Sequence, residues 1–130
     1  MSIRSPNKNT DYMKIHDISI IRGDTLSITL RLKIDGEPFT LPENGYVTFA
    51  MFESGIKAPI IKYTYDADNQ DADKYIDIVV LPYLTADLKP VQSYSYEVEY
   101  LINPETIYTM LTGTITVIAD KITPSVRGDT

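Results

Sequence analysis

The chain has no cysteine, no tryptophan and a single histidine, His16. Without cysteine there is no disulfide framework and no thiolate metal site, so stability has to come from packing alone. One histidine excludes a His-rich metal centre. A nucleophilic triad would need His16 beside an activated hydroxyl, but no G-x-S-x-G occurs and His16 leads into a strand pattern. The phosphate-cradling patterns G-x-x-x-x-G-K and G-x-G-x-x-G are also missing. His16 therefore reads as a strand-edge or surface histidine. The chain is expected to be no enzyme, with no catalytic, cofactor-binding or metal-ligating residues and no cofactor.

Clustered positive charge is lacking too. Twelve Lys and Arg are scattered among eighteen Asp and Glu, for a net charge of −6. Phosphate-backbone binding needs basic residues gathered on one face, so no nucleic-acid partner is expected. No apolar run approaches the ~20 residues of a membrane-spanning helix, so no membrane partner is expected. The opening "MSIRSPNKNT" has no apolar stretch of the secretory kind. The expectation is a protein made and folded inside a cell.

What the chain does have is tyrosine and alternation. Ten Tyr stand against three Phe, and Tyr and Thr suit half-buried pleated surfaces. From Thr25 onward, Leu26, Ile28, Leu30, Leu32 and Ile34 alternate with Ser27, Thr29, Arg31 and Lys33. That period of two is a strand with one buried face. Asp35-Gly36 then marks a turn. Further strands are expected at "KIHDISII", at "GYVTFAMFE" with Val47, Phe49 and Met51 inward, and from Ile60 to Tyr65. Others are "YIDIVV" with Ile76, Ile78 and Val80 together, "SYSYEVEYL", and "YTMLTGTITVI", where Gly113 reads as a bulge. "LPYLTADLKP" allows one short helical turn.

The 130 residues fit one domain. The expected fold is all-β, an immunoglobulin-like sandwich of about seven antiparallel strands over residues 14–123. A flexible arm over 1–13 precedes it and a tail over 124–130 follows. A small closed barrel reads the same way in one dimension. Leu88 just before Tyr94 and Tyr96 is where a tyrosine-corner hydroxyl would meet backbone.

Three features suggest chemistry. Arg22-Gly23-Asp24, repeated at Arg127-Gly128-Asp129, is an adhesion tripeptide in some extracellular proteins. Lying between two alternating runs, the first copy reads better as a strand junction. The acidic run Asp66 to Lys74 has oxygens at alternating positions, but Asp71 stands where a calcium loop needs glycine. It reads as a solvated hairpin tip. Tyr63, Tyr65, Tyr94, Tyr96 and Tyr100 are candidates for a core face first, a protein interface second and a glycan-stacking row third.

"IIRGDTLSITLRLKIDGEPFTL" resembles the opening of the N-terminal domain of phage baseplate upper proteins, with an R-G-D-T start, an alternating strand and a D-G-x-P turn. "GYVTFAMF" is similar to that family's second strand. "LPYLTADLKPVQSYSYEVEY" is similar to its leucine, short loop and tyrosine-pair strand, here Tyr94 and Tyr96 with Glu97 as the acidic residue. "IYTMLTGTITVIADKIT" looks like its last strand, with Tyr108-Thr109, Gly113 and Asp120 in register. The resemblance covers about residues 15–123. It implies an immunoglobulin-like domain that attaches to other tail or baseplate proteins, in a virion assembled in the bacterial cytoplasm. The expected function is a structural phage or prophage docking component, with homo-oligomer formation open. The alternative is a carbohydrate-binding module for host-wall glycans.

Overall fold

A computed structural model of the chain describes residues 14–90 and 93–122. The expected arm over 1–13 and the second Arg-Gly-Asp lie outside the described residues. The described part is all-β apart from two short helical turns. Its strands are β1 (Lys14–Ile15), β2 (Ile18–Ile21), β3 (Leu26–Arg31), β4 (Lys33–Ile34), β5 (Glu37–Pro38), β6 (Tyr46–Glu53) and β7 (Ile61–Tyr65), followed by β8 (Tyr75–Val80), β9 (Ser93–Asn103) and β10 (Thr106–Ile118). A 3-10 turn at Ala67–Asn69 precedes β8, and one α-turn, α1 (Pro82–Thr85), follows it. Proline at the first position of α1 loses no helical hydrogen bond.

The larger sheet runs β1-β10-β9-β6-β7, with β2 also on β10, and β3 pairs with β8 in a second sheet. β4 and β5 form a small hairpin. Its two turn residues, Asp35 and Gly36, have φ of 54° and 81°. Both are positive, as a tight turn matched to strand twist requires.

Alternation placed the core correctly. Leu26 and Ile28 of β3 and Ile76, Ile78 and Val80 of β8 are buried together with Val47, Phe49 and Met51 of β6. Tyr94, Tyr96, Val98 and Tyr100 of β9 and Ile115 and Val117 of β10 complete the cluster. Both sheets thus bury one common face.

Four expectations need correction. The pairing is not all antiparallel, because β1 and β2 run parallel to β10. "KIHDISII" is not one strand but two, broken at His16-Asp17. Opposite the break stands Gly113, where a Cβ would lie 2.1 Å from the His16 carbonyl oxygen. Glycine leaves room there for the kinked neighbour, and the two register shifts of β10 against β9 fall instead between Thr106 and Ile107 and between Thr109 and Leu111. The alternating run from Leu26 also ends early. The Leu32 N–H bonds Lys74 on the β8 side while its carbonyl accepts from Phe39 N–H at 2.8 Å, so the chain peels into the small hairpin. Finally, residues 66–74 are no hairpin tip. They carry the chain from β7 in one sheet to β8 in the other.

Candidate functional site

The first Arg-Gly-Asp is the turn between β2 and β3. Asp24 N–H donates to Ile21 carbonyl at 3.0 Å, and Gly23 has φ of 87°, the left-handed geometry that favours glycine. The Arg22 side chain is committed: Nε and a terminal nitrogen both reach Asp120 Oδ1 at 2.8 Å. The Asp24 carbonyl accepts from the Thr85 hydroxyl at 2.6 Å, tying the turn to α1, and Thr85 is fully buried. These contacts hold the tripeptide as a junction between strands.

Beside the turn runs a groove of about 930 Å³, walled by Ile21, Tyr83, Ile118 and Ile122. All four are well exposed, Tyr83 the most at 68%. Ile21 and Ile118 are register partners on adjacent strands.

The tyrosine pair works inward. The Tyr94 hydroxyl accepts from the Lys89 backbone N–H at 2.8 Å, five residues upstream, with Leu88 buried beside it. The Tyr96 hydroxyl donates to the His16 carbonyl at 2.5 Å. Burial, and secondarily the charge of Asp17, push the Tyr96 pKa up to about 12. Tyr100 is buried as well, against Phe39 and Tyr108. A ring enclosed on both faces offers no surface to a sugar. Tyr63 and Tyr65 remain half-buried, their rings 6.2 Å apart. Burial raises both of their pKa values.

The acidic loop satisfies itself. Asp66 caps the 3-10 turn by accepting from Asp68 N–H, and Asp71 accepts from Asp73 and Tyr75 N–H. Carboxylates used this way are not converging on an ion, and no group of acidic or histidine residues that could hold a metal occurs among the described residues. His16 contributes its carbonyl, while its side chain lies at the surface.

Sequence reasoning missed the contacts of three residues. Gln70 accepts from Leu41 N–H at 2.8 Å and donates to Phe39 and Lys74 carbonyls, pinning the cross-sheet loop to the chain before β6. Asp17 accepts from both the N–H and the hydroxyl of Thr114, fixing the kinked edge. Asp120 holds Arg22. An Asp at the break of an alternating run was the available signal for Asp17; Gln70 had none.

The open strand edges are the remaining feature able to act on another molecule. β7 ends the larger sheet on one side and the kinked β1-β2 on the other, while β3 and β8 pair only with each other among the described residues. No protein-family model matches the chain, and no curated protein matches it.

Proposed function

We propose that this chain is a structural component of a phage or prophage tail or baseplate, acting as a docking domain between virion proteins. The observation carrying this reading is that residues behind the resemblance to baseplate upper proteins meet one another at structural joints. Arg22 of R-G-D-T is paired with Asp120 of the last segment. Tyr96 of the tyrosine pair and Gly113 both meet the His16 carbonyl. Asp35-Gly36 of the D-G-x-P turn closes the small hairpin. Scattered short motifs that interlock in space behave as one pattern.

Within this proposal the two sheets are layers of an immunoglobulin-like sandwich. The order β10-β9-β6-β7 facing β3-β8, with the Tyr94 hydroxyl on Lys89 N–H in the manner of a tyrosine corner, supports that assignment. The open edges and the apolar groove beside Arg22 are the surfaces such a domain docks with.

The test is to induce the prophage in a strain carrying the gene, purify the particles and search them for this chain by mass spectrometry. Stoichiometric recovery with tail proteins is expected. Particles complete without the chain, or a gene flanked by metabolic genes, would remove the virion reading.

A further inference from the structure

Open strand edges are normally guarded by a charge, a kink or a cap. Three of the four edges here are. β7 carries Lys62 at its exposed face. The β1-β2 edge is broken at His16-Asp17. On β8 the guard is a cap, which follows from the ladder. Leu32 N–H bonds Lys74 carbonyl, and antiparallel pairs alternate between bonded and non-bonded. Ile76, Ile78 and Val80 therefore point their backbone groups at β3, while those of Tyr75, Asp77 and Val79 point outward. The Tyr75 carbonyl already accepts from Asp71 N–H, the Tyr75 N–H donates to the Asp71 carboxylate, and the Tyr65 hydroxyl lies against the Val79 amide, so both ends of this edge are capped and Asp77 between them is not.

β3 is different. By the same alternation Leu26, Ile28 and Leu30 bond β8, and the N–H and C=O groups of Ser27, Thr29 and Arg31 face away from it. No contact to them occurs among the described residues. The pairing with β8 is in unbroken register over all of β3, so the strand is regular. Its one charged side chain is folded away from the edge: Arg31 lies over the Tyr75 ring, 5.4 Å from its centre, and Nε donates to the Asp73 carbonyl at 2.9 Å. Thr29 likewise turns its hydroxyl to Asp77 at 2.8 Å. Only Ser27 and Thr29, both short, border the open side.

We propose that β3 pairs antiparallel with β3 of a second copy of this chain, about a two-fold axis at Thr29. In that register Thr29 faces the partner's Thr29 and Ser27 faces the partner's Arg31. Every outward N–H and C=O of the three residues finds a complement. No like charges stand opposite one another. The two Asp77 carboxylates are three strand spacings apart, about 14 Å, beyond the ~8–10 Å screening length. On the inner face Ile28 meets the partner's Leu30, which is half-buried in the single chain. The pairing is independent of the virion reading, since a dimer outside any particle satisfies it.

The test is sedimentation velocity with light scattering on the full chain, from micromolar to millimolar concentration. The mass is expected to rise from 14.7 kDa towards twice that value. Thr29→Lys should stay at the single-chain mass, since it sets like charges opposite one another across the axis while facing Asp77 within its own sheet. Far-ultraviolet circular dichroism should show its fold unchanged. Because the chain has no cysteine, a Thr29→Cys variant should be captured as a covalent pair by a short bismaleimide, and Thr64→Cys on β7 should not. A wild-type chain of single mass throughout, a Thr29→Lys variant that doubles like wild type, or equal capture through Thr64→Cys would each overturn the proposal.

Discussion

The Tyr96 hydroxyl and the His16 carbonyl, eighty positions apart in sequence, lie 2.5 Å from one another. The bond joins the middle of β9 to the kink between β1 and β2, and Gly113 of β10 leaves the space through which it passes. Tyr96→Phe leaves that carbonyl without its donor. Because the bond is only part-buried and water can reach the carbonyl, the loss is expected at about 1 kcal/mol. Urea unfolding should show a lower midpoint and an unchanged slope.

Alkaline pH should act through the same hydroxyl. Its pKa is held up to about 12, against about 10 in an unfolded chain. The unfolded chain loses this proton first, so the contribution to stability is intact below about pH 10 and fades as pH climbs towards about 12. Tyr63 and Tyr65, also raised, add in the same direction. Stability measured across this window, alongside tyrosinate absorbance, should fall less steeply for Tyr96→Phe than for wild type.

Gly113→Ala sets a methyl 2.1 Å from the His16 oxygen and 2.8 Å from its carbonyl carbon. Backbone has to move, at about 1–3 kcal/mol for a forced fit of this kind. The motion is expected in β1-β2 rather than in β10, which has β9 on its other side. Hydrogen exchange should quicken at residues 14–21 while amides of β9 stay protected.

Tyr94→Phe should cost about 1 kcal/mol by freeing the Lys89 N–H. The ring stays buried, so packing is kept and thermal melting reads the hydroxyl alone. A melting temperature equal to wild type would show that water replaces the bond at no loss.

Gln70→Ala removes one acceptor and one donor that serve Leu41, Phe39 and Lys74. A loss of about 1–3 kcal/mol is expected from the stranded backbone groups. Limited proteolysis should find new cleavage within residues 66–74. A variant as resistant as wild type would mean that Asp66 and Asp71 hold this loop without help.

Much of the strand set was legible because one buried face imposes a period of two. Val47, Phe49 and Met51, or Tyr94, Tyr96, Val98 and Tyr100, announce their burial wherever the strand lies in the fold. Asp35-Gly36 was legible because few residue pairs accept two positive φ values in a row. The parallel edge was hidden, since a strand's own residues carry no mark of its neighbour's direction, and Ile18–Ile21 pairs with Ile115–Ile118 nearly a hundred positions away. The crossing at 66–74 was hidden for a related reason: a polar loop between two strands looks the same whether they pair or lie in different sheets. Arg22 and Asp120 were each visible, but nothing local says that they meet.

The partly capped rim of β8 sets a limit on growth. If two chains join through β3, the combined four-stranded sheet has β8 at each outer border, where Asp71 and Tyr65 already occupy backbone groups. A third chain finds only the groups of Asp77 and the Val79 carbonyl uncontacted among the described residues, a shorter template than β3 offers, so the association favours a pair over a fibre.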